Sequence, residues 1–342
     1  MNLELHTTFP EHLKAEWNAL LDESVSHVPF LRHEYLSAWW QTRGGGEWPP
    51  EAQLAVVTAR QDGRLAAVAP LFHAPDFKGR PALMFLGSVE ISDYLDFIVR
   101  PADLQPFLSE LLPFLRAADL PEWQALDLYN LLDPSPSPEA LKAAAAGLGW
   151  EAAVEQAYHA PCIPLPGDWE AYLASIDKKQ RHEIRRKVRK AEAGPLEPAW
   201  YLVEDESTLE EEIDAFLGMM AQDPSKQEFL TEPMRAAMRQ IMRCAFEEGC
   251  LHLAVLTFVG QRAAAYLSFD YLNRLWVYNS GWDSRFGEYS PGWVLLAYLL
   301  QWANENGREA FDFMRGDEEY KYRFGGVDRA VLRVVVTPEE KA

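Results

Sequence analysis

LAVVTARQDGRLAAVAPLF, Leu54–Phe72, and LAVLTFVGQRAAAYLSF, Leu253–Phe269, are the two stretches on which the fold turns. Each holds two apolar runs joined by a short turn that contains glycine, at Asp62–Gly63 and at Gly260–Gln261. That pattern reads as a β-hairpin. Leu54-Ala-Val-Val-Thr58 matches Leu253-Ala-Val-Leu-Thr257, and each hairpin runs on through alanines to a phenylalanine. The segments downstream of the hairpins recur as well. The first half continues with strands at Ala82–Leu86 and Tyr94–Val99, a helix at Asp103–Ala117 and a strand at Gln124–Tyr129. The second half continues with a strand at Leu275–Ser280, a helix at Gly292–Asn306 and a strand at Ala310–Met314. Ala125-Leu-Asp-Leu128 and Ala310-Phe-Asp-Phe313 occupy matching places. The order hairpin, strand, helix, strand therefore appears twice, at a spacing far beyond the ~20–50 residues of solenoid repeats. A domain duplication accounts for it.

The chain has 342 residues, enough for two domains of the usual ~100–200 residues. Strand-like and helix-like segments alternate throughout, which predicts an α/β class with mixed sheets flanked by helices. Helical patterns occur at Glu11–Leu21 and His33–Gln41, and Gly44–Gly46 read as the terminator of the second. The breaker DPSPSP spans Asp133–Pro138, and Pro161, Pro164 and Pro166 punctuate an extended segment. The boundary is expected there, giving domains 1–165 and 166–342. The second domain begins with a helical stretch over Asp168–Ala193 and a strand at Pro198–Val203. Helices at Leu209–Met220 and Pro233–Glu247 come next, and a strand at Ala330–Val336 comes last. Ser207 or Thr208 is the expected cap of the first of those two helices.

The formal net charge is −20, so the surface as a whole repels polyanions and speaks against coating DNA. Cys162, Cys244 and Cys250 form no CxxC pair and no zinc spacing with histidine, so no metal is expected. A reducing, cytoplasmic setting suits so few cysteines. No signal peptide is read at the N-terminus, and the apolar run Trp293–Leu300 falls short of the ~20 residues of a membrane helix. Nucleophile elbow, Walker A, dinucleotide and HExxH motifs are absent.

One local anomaly stands against the acidic background. KKQRHEIRRKVRK, Lys178–Lys190, carries eight Lys or Arg residues. Lys178, Arg181, Arg185 and Arg189 share one helical face by their spacing, and Ile176, Ile184 and Val188 make a thin apolar seam. The face suits a phosphate-bearing acceptor, a tRNA acceptor stem or a polyanionic glycan; equally, it suits a solvated helix pairing with the acidic run Glu204–Asp214.

Several pieces together resemble the Fem-like and CelD-like (cellulose-biosynthesis-type) acetyltransferases of the GNAT superfamily. They are Gly281 and Asp283, then Ser290-Pro291-Gly292 opening a helix, then Phe311-Asp312-Phe313, Arg315-Gly316-Asp317 and Tyr320-Lys321. The basic segment from Lys178 and the blocks HEYLSAWW and SDYLDF are similar to the same family. The resemblance implies two tandem GNAT-like domains and transfer of an acyl group to an amine. The implied donor is acetyl-CoA or another acyl-CoA; in the peptidoglycan branch it is aminoacyl-tRNA. A small-molecule, glycan or cell-envelope precursor amine is the implied acceptor. A non-catalytic binding protein on a GNAT scaffold is a further alternative.

The resemblance gives the residues roles. Ser290, Pro291 and Gly292 would hold the donor's phosphates at a helix N-terminus, where N–H groups and the positive dipole end are exposed. Glu288, just ahead of them, works against that. The backbone of strand Leu275–Ser280, at Tyr278 and Asn279, would polarise the donor carbonyl. Asp283 and Asp317 are candidate bases, Tyr320 a candidate acid, and Lys321 a holder of an anionic group. Asp312 is weighed as a base too, but Asp127 at the matching position favours a structural part. Lys178, Lys179, Arg181, Arg185 and Arg315 are the expected substrate contacts. The first half is expected to be catalytically silent and to wall the acceptor cleft, since Asp103 opens its matching helix and repels phosphate.

Overall fold

The structure, a computed structural model, describes residues 1–339. It divides into two units, one made of Met1–Tyr158 and the segment from Ala330 onward, the other of His159–Arg329.

The first unit contains β1 (Asn2–His6), α1 (Lys14–Leu21), α2 (His33–Gln41), the short α3 (Arg43–Gly46), β2 (Gln53–Leu54), β3 (Val56–Gln61), β4 (Arg64–Ala69), β5 (Leu71–Phe77), β6 (Arg80–Phe85), β7 (Ile98–Val99), α4 (Leu104–Ala117), β8 (Ala125–Leu132), α5 (Ser137–Ala146) and β9 (Glu151–His159). The hairpin turn falls at Asp62–Gly63 as expected. Both residues take positive φ, 50° and 78°, and Gln61 pairs with Arg64. This is the two-residue turn whose twist matches that of its strands. The strand expected over Leu65–Phe72 is cut at Pro70. Proline has no N–H for the ladder, so the chain leaves the sheet β1-β3-β4-β7 and β5 joins a second sheet, pairing with β2 and β6. Of the strand expected at Tyr94–Val99, only Ile98–Val99 pairs.

The second unit contains β10 (Cys162–Pro164), α6 (Trp169–Ser175), α7 (Lys178–Glu192), β11 (Ala199–Leu202), α8 (Glu206–Met220), α9 (Pro224–Phe229), α10 (Glu232–Glu247), β12 (Leu251–Phe258), β13 (Gln261–Tyr271), β14 (Arg274–Trp282), α11 (Pro291–Glu305), β15 (Ala310–Asp312) and α12 (Glu319–Arg323). Its sheet runs β10-β15-β14-β13-β12-β11, with β14 and β15 parallel. The β12–β13 turn sits one residue earlier than expected, at Val259–Gly260, because Phe258 pairs with Gln261. The single helix expected over Asp168–Ala193 is two. Asp177 Oδ1 accepts the Lys179 N–H at 2.8 Å and the Gln180 N–H at 3.3 Å, which caps α7 afresh. Likewise Asp205, rather than Ser207 or Thr208, caps α8. α11 covers the sheet face of Ala254, Leu256, Ala264 and Tyr266, and α6 and α7 pack behind it. α8 takes the opposite face.

The last strand, β16 (Ala330–Thr337), departs from the expected division. It returns to the first unit and lies between β8 and β9. Val331, Val334 and Val336 are buried there. Arg333 donates two hydrogen bonds of 2.7 Å to the buried Asp127 carboxylate. The second unit is thus inserted between two stretches of the first.

Candidate active site

β14 has nine residues, of which only Arg274, Leu275 and Trp276 pair with β15. Val277–Trp282 run on without it. The reason is visible in the partner strand. After Asp312 the backbone turns to His159–Pro161: Phe313 N–H donates to Pro161 O at 3.0 Å and Gly316 N–H to His159 O at 2.9 Å. Asp312 pins the departure. Its carboxylate is fully buried, accepts the Met314 N–H at 2.9 Å and takes two bonds from Arg329 at 2.7 and 2.8 Å. That is a structural aspartate, as Asp127 is in the first unit. On the other side of β14 the register shifts by one residue opposite Leu267–Ser268, and Tyr278 is the extra residue. A bulge there bends the strand away further. Gly281 fixes the far end: a Cβ on it would lie 2.4 Å from Met220 N of α8. A wedge therefore opens between two parallel strands.

The first turn of α11 stands at this wedge. Ser290 is the residue before the helix, but its side chain makes no cap. It adopts a left-handed backbone, φ 53°, and its carbonyl accepts the Trp293 and Val294 N–H groups at 3.0 and 3.1 Å. Pro291 has no N–H, which leaves the Gly292 N–H as the one donor of this turn without an acceptor among the described residues. The nearest atom to a Cβ on Gly292 is Trp282 Cδ1 at 4.0 Å, so the approach is open. Glu288 is not a bare charge here, because Lys190 Nζ sits 3.1 Å from its carboxylate and 3.0 Å from its carbonyl. Lys187 Nζ lies 3.6 Å above the Trp293 ring. Two cations of α7 thus flank the start of α11.

A second group of side chains gathers around Ser280, past the point where the strands part. Tyr266 on β13 pairs across to Ser280, and burial pushes its phenol up to about 12. Tyr320 on α12 packs edge-on to Phe313 at 5.8 Å; burial, then the neighbouring Tyr266 and Glu318, raise its phenol well above the usual tyrosine range. Lys226 on α9 donates to Ser280 O at 2.6 Å, and burial holds its ammonium below the usual lysine range. Lys321, 4% exposed, donates to Arg315 O at 2.6 Å and pairs with Glu318 at 2.9 Å. Asp317 and Glu318 are exposed on the turn into α12.

Asp283 differs from its expected part. Its carboxylate caps the 3-10 turn Ser284–Tyr289 and binds Arg285 at 2.6 and 2.9 Å; that hydrogen bond holds it below the usual carboxylate range. A carboxylate so neutralised is a poor proton acceptor. Arg315 is half-buried, with its carbonyl on Lys321. Sequence reasoning missed Lys226. Asp223-Pro224 is legible as a helix start, but nothing in the spacing ties it to Ser280.

The basic helix also presents a different face from the one expected. Gln180, Ile184 and Ala191 are buried and set its rotation. Arg185 pairs with Glu170 at 2.5 Å and Arg181 donates to Leu173 O at 3.2 Å. Arg185 and Arg189 line a groove of about 370 Å³ with Tyr298. The larger groove, about 970 Å³, is lined by Lys179, His182, Arg186, Lys187, Trp293 and Tyr322, among others. Among the described residues the acidic run makes its ion pairs elsewhere than on α7. Asp214 pairs with Arg239, Glu210 with Arg243, and Glu211 and Glu212 with Arg262. Lys178 and Lys179 make no ion pair among the described residues.

Residues 178–322 match the model of the acetyltransferase (GNAT) domain. No curated protein matches the chain. Among solved structures, FemX is similar over 98% of this chain and 97% of its own at 11% identity, TM-score 0.67. The C-terminal domain of a putative lysylphosphatidylglycerol synthetase from Agrobacterium fabrum covers 96% and 93% at 11% identity, TM-score 0.55. A tandem GNAT protein from the clavulanic acid biosynthesis pathway covers 99% and 99% at 14% identity, TM-score 0.50. At these identities the likeness is one of fold. Among the described residues no helix is long and apolar enough to cross a membrane. Residues 178–322 thus match a GNAT acetyltransferase domain, and the fold of the chain is similar to those of FemX and of the tandem GNAT protein.

Proposed function

We propose that the chain is an N-acyltransferase that moves an acyl group, acetyl in the simplest case, from acyl-CoA to an amine. The wedge between β14 and β15 carries this reading. The edge of β14 beyond Trp276, around Tyr278 and Asn279, offers its backbone to an extended pantetheine arm much as a strand edge accepts a peptide. That edge would also polarise the thioester carbonyl as negative charge develops on it. Ser290–Gly292 receive the diphosphate through the Gly292 N–H, the dipole of α11 and the adjacent Lys187 and Lys190.

The amine attacks the thioester carbonyl and the C–S bond breaks. The amine loses a proton, for which Asp317 at the rim is the available carboxylate, Glu318 being paired with Lys321. Tyr320, kept protonated by burial, gives its proton to the departing thiolate. Lys321 and Lys226 hold the surrounding backbone and favour an acceptor that carries negative charge beside its amine, as a glycan or envelope precursor does.

The first unit has a matching parallel pair, Ala82 and Leu83 on β6 with Ala125 and Leu126 on β8. Beside β8 the chain Ser88–Phe97 is bound in: Leu95 N–H donates to Asn130 O at 2.7 Å, and Asn130 Nδ2 donates to Ser92 O at 2.7 Å. That filling supports a catalytically silent first half. An aminoacyl-tRNA donor is the second reading, favoured by the unpaired Lys178 and Lys179 on α7.

The test is thermal. Acetyl-CoA at a hundred times its Kd should stabilise the fold by about 2.7 kcal/mol. No shift with acetyl-CoA or longer acyl-CoAs, together with a salt-sensitive complex with tRNA, moves the assignment to the second reading.

A further inference from the structure

The 970 Å³ groove opens on the first turn of α11, since Trp293 is both its wall and the residue after Gly292. A ligand whose diphosphate rests at Gly292 leads directly into it. Four cations line the groove, Lys179, Arg186, Lys187 and Arg323, against the acids Asp177 and Glu183. Neither acid is idle: Asp177 is occupied in capping α7, and Glu183 in binding Arg186 at 2.7 and 2.8 Å. The Gln180 amide, 7% exposed, also lines the groove, with no partner for its Nε2 among the described residues. Its last torsion is soft, so the amide can turn its N–H groups toward a ligand. Such an amide beside cations and the Tyr322 ring suits a nucleobase with a phosphate next to it.

We infer that this groove takes the phosphoadenosine end of the acyl-CoA donor, with the ribose 3′-phosphate against Lys179 and Arg186. The inference rests on the acyl-CoA reading. It assigns to α7, a helix that precedes the first strand of the sheet at β11, the part of the donor most remote from the thioester.

The experiment measures binding of CoA, dephospho-CoA and adenosine 3′,5′-bisphosphate to the full chain by calorimetry. CoA is expected to bind roughly tenfold or more tighter than dephospho-CoA, the worth of a charge-assisted phosphate contact. The bisphosphate should compete with CoA. In the variant Lys179→Ala/Arg186→Ala the gap between CoA and dephospho-CoA should close, with the melting temperature unchanged because both side chains are exposed. Equal affinity of the natural chain for CoA and dephospho-CoA, or a gap that survives in the variant, overturns the inference while leaving acyl-CoA as donor. Failure of CoA to bind at all removes the donor reading as well. Displacement of nothing by the bisphosphate, with a CCA-ended oligonucleotide bound in the groove instead, overturns it in favour of RNA.

Discussion

Gly281→Ala measures how tightly α8 holds the diverging part of β14. The added Cβ would lie 2.4 Å from Met220 N, 2.6 Å from Met219 C and 2.8 Å from Met220 Cα. These are backbone atoms at the end of a helix, so no side chain can swing aside. Strand or helix must retreat by roughly 1 Å to reach ordinary contact, and overpacking of this kind costs about 1–3 kcal/mol. In a unit of this size each kcal/mol lowers Tm by about 2–4 °C, so a fall of about 2–12 °C is expected. The same retreat moves the strand that receives the thioester, and a misplacement of ~1 Å can lower kcat/KM about 100-fold. Gly292→Ala is the companion. It meets nothing nearer than Trp282 Cδ1 at 4.0 Å, so Tm should hold while KM for acyl-CoA rises. Calorimetry and a thiol-release assay read both. Natural Tm and activity in Gly281→Ala would refute the close approach of α8. A drop in Tm with activity intact would refute the role given to β14.

Tyr320→Phe should lower kcat about 100-fold or more with little change in KM, as loss of a general acid does; an unaltered kcat removes Tyr320 from the chemistry. His252 is buried against Trp302, with neither ring nitrogen partnered among the described residues, and burial pushes it down to about 4 from 6.5. Between those values the unfolded chain takes up a proton that the folded chain refuses, so stability falls as pH drops from 6.5 to 4, by up to about 3 kcal/mol. Denaturant titrations at pH 7 and 4.5 should show His252→Leu losing less of its stability than the natural chain; parallel losses count against the assignment. Val259 sits exposed in the β12–β13 turn at φ 49°, a region that costs a β-branched residue about 1 kcal/mol or more. Val259→Asn should raise Tm by a few degrees, and no rise means the turn has relaxed in another way.

The repeat of hairpin, strand, helix and strand was legible because it rests on short-range pattern. The Asp62–Gly63 turn needs positive φ, and the apolar runs have a period of two. What was not legible depended on partners far along the chain. The place of β16 beside β8 is decided by Asp127 meeting Arg333, and nothing at Ala330–Thr337 says which sheet it completes. Pro70 could have been read as a strand break. Asp177 could have been read as a cap, and with that cap comes the helix rotation that aims Lys179 and Arg186 into the larger groove in place of Arg181 and Arg185. In the candidate site, Tyr320, Lys321 and Gly292 were reachable from the sequence. Lys226 was not, because its hydrogen bond to the site goes to a backbone carbonyl on a strand distant in sequence. Asp283 looked reactive until Arg285, two residues on, closed over it.

The insertion of one unit within the other has a consequence for synthesis. As the polypeptide leaves the ribosome, His159–Arg329 emerge whole before Ala330–Thr337, so the nested unit can mature first. The surrounding one must wait with a gap beside β8 until Ala330–Thr337 have emerged as well. Cutting the gene after Tyr158 would therefore yield a fragment with an exposed, valine-hungry sheet edge prone to aggregate, whereas excising 159–329 should yield a piece able to fold unaided.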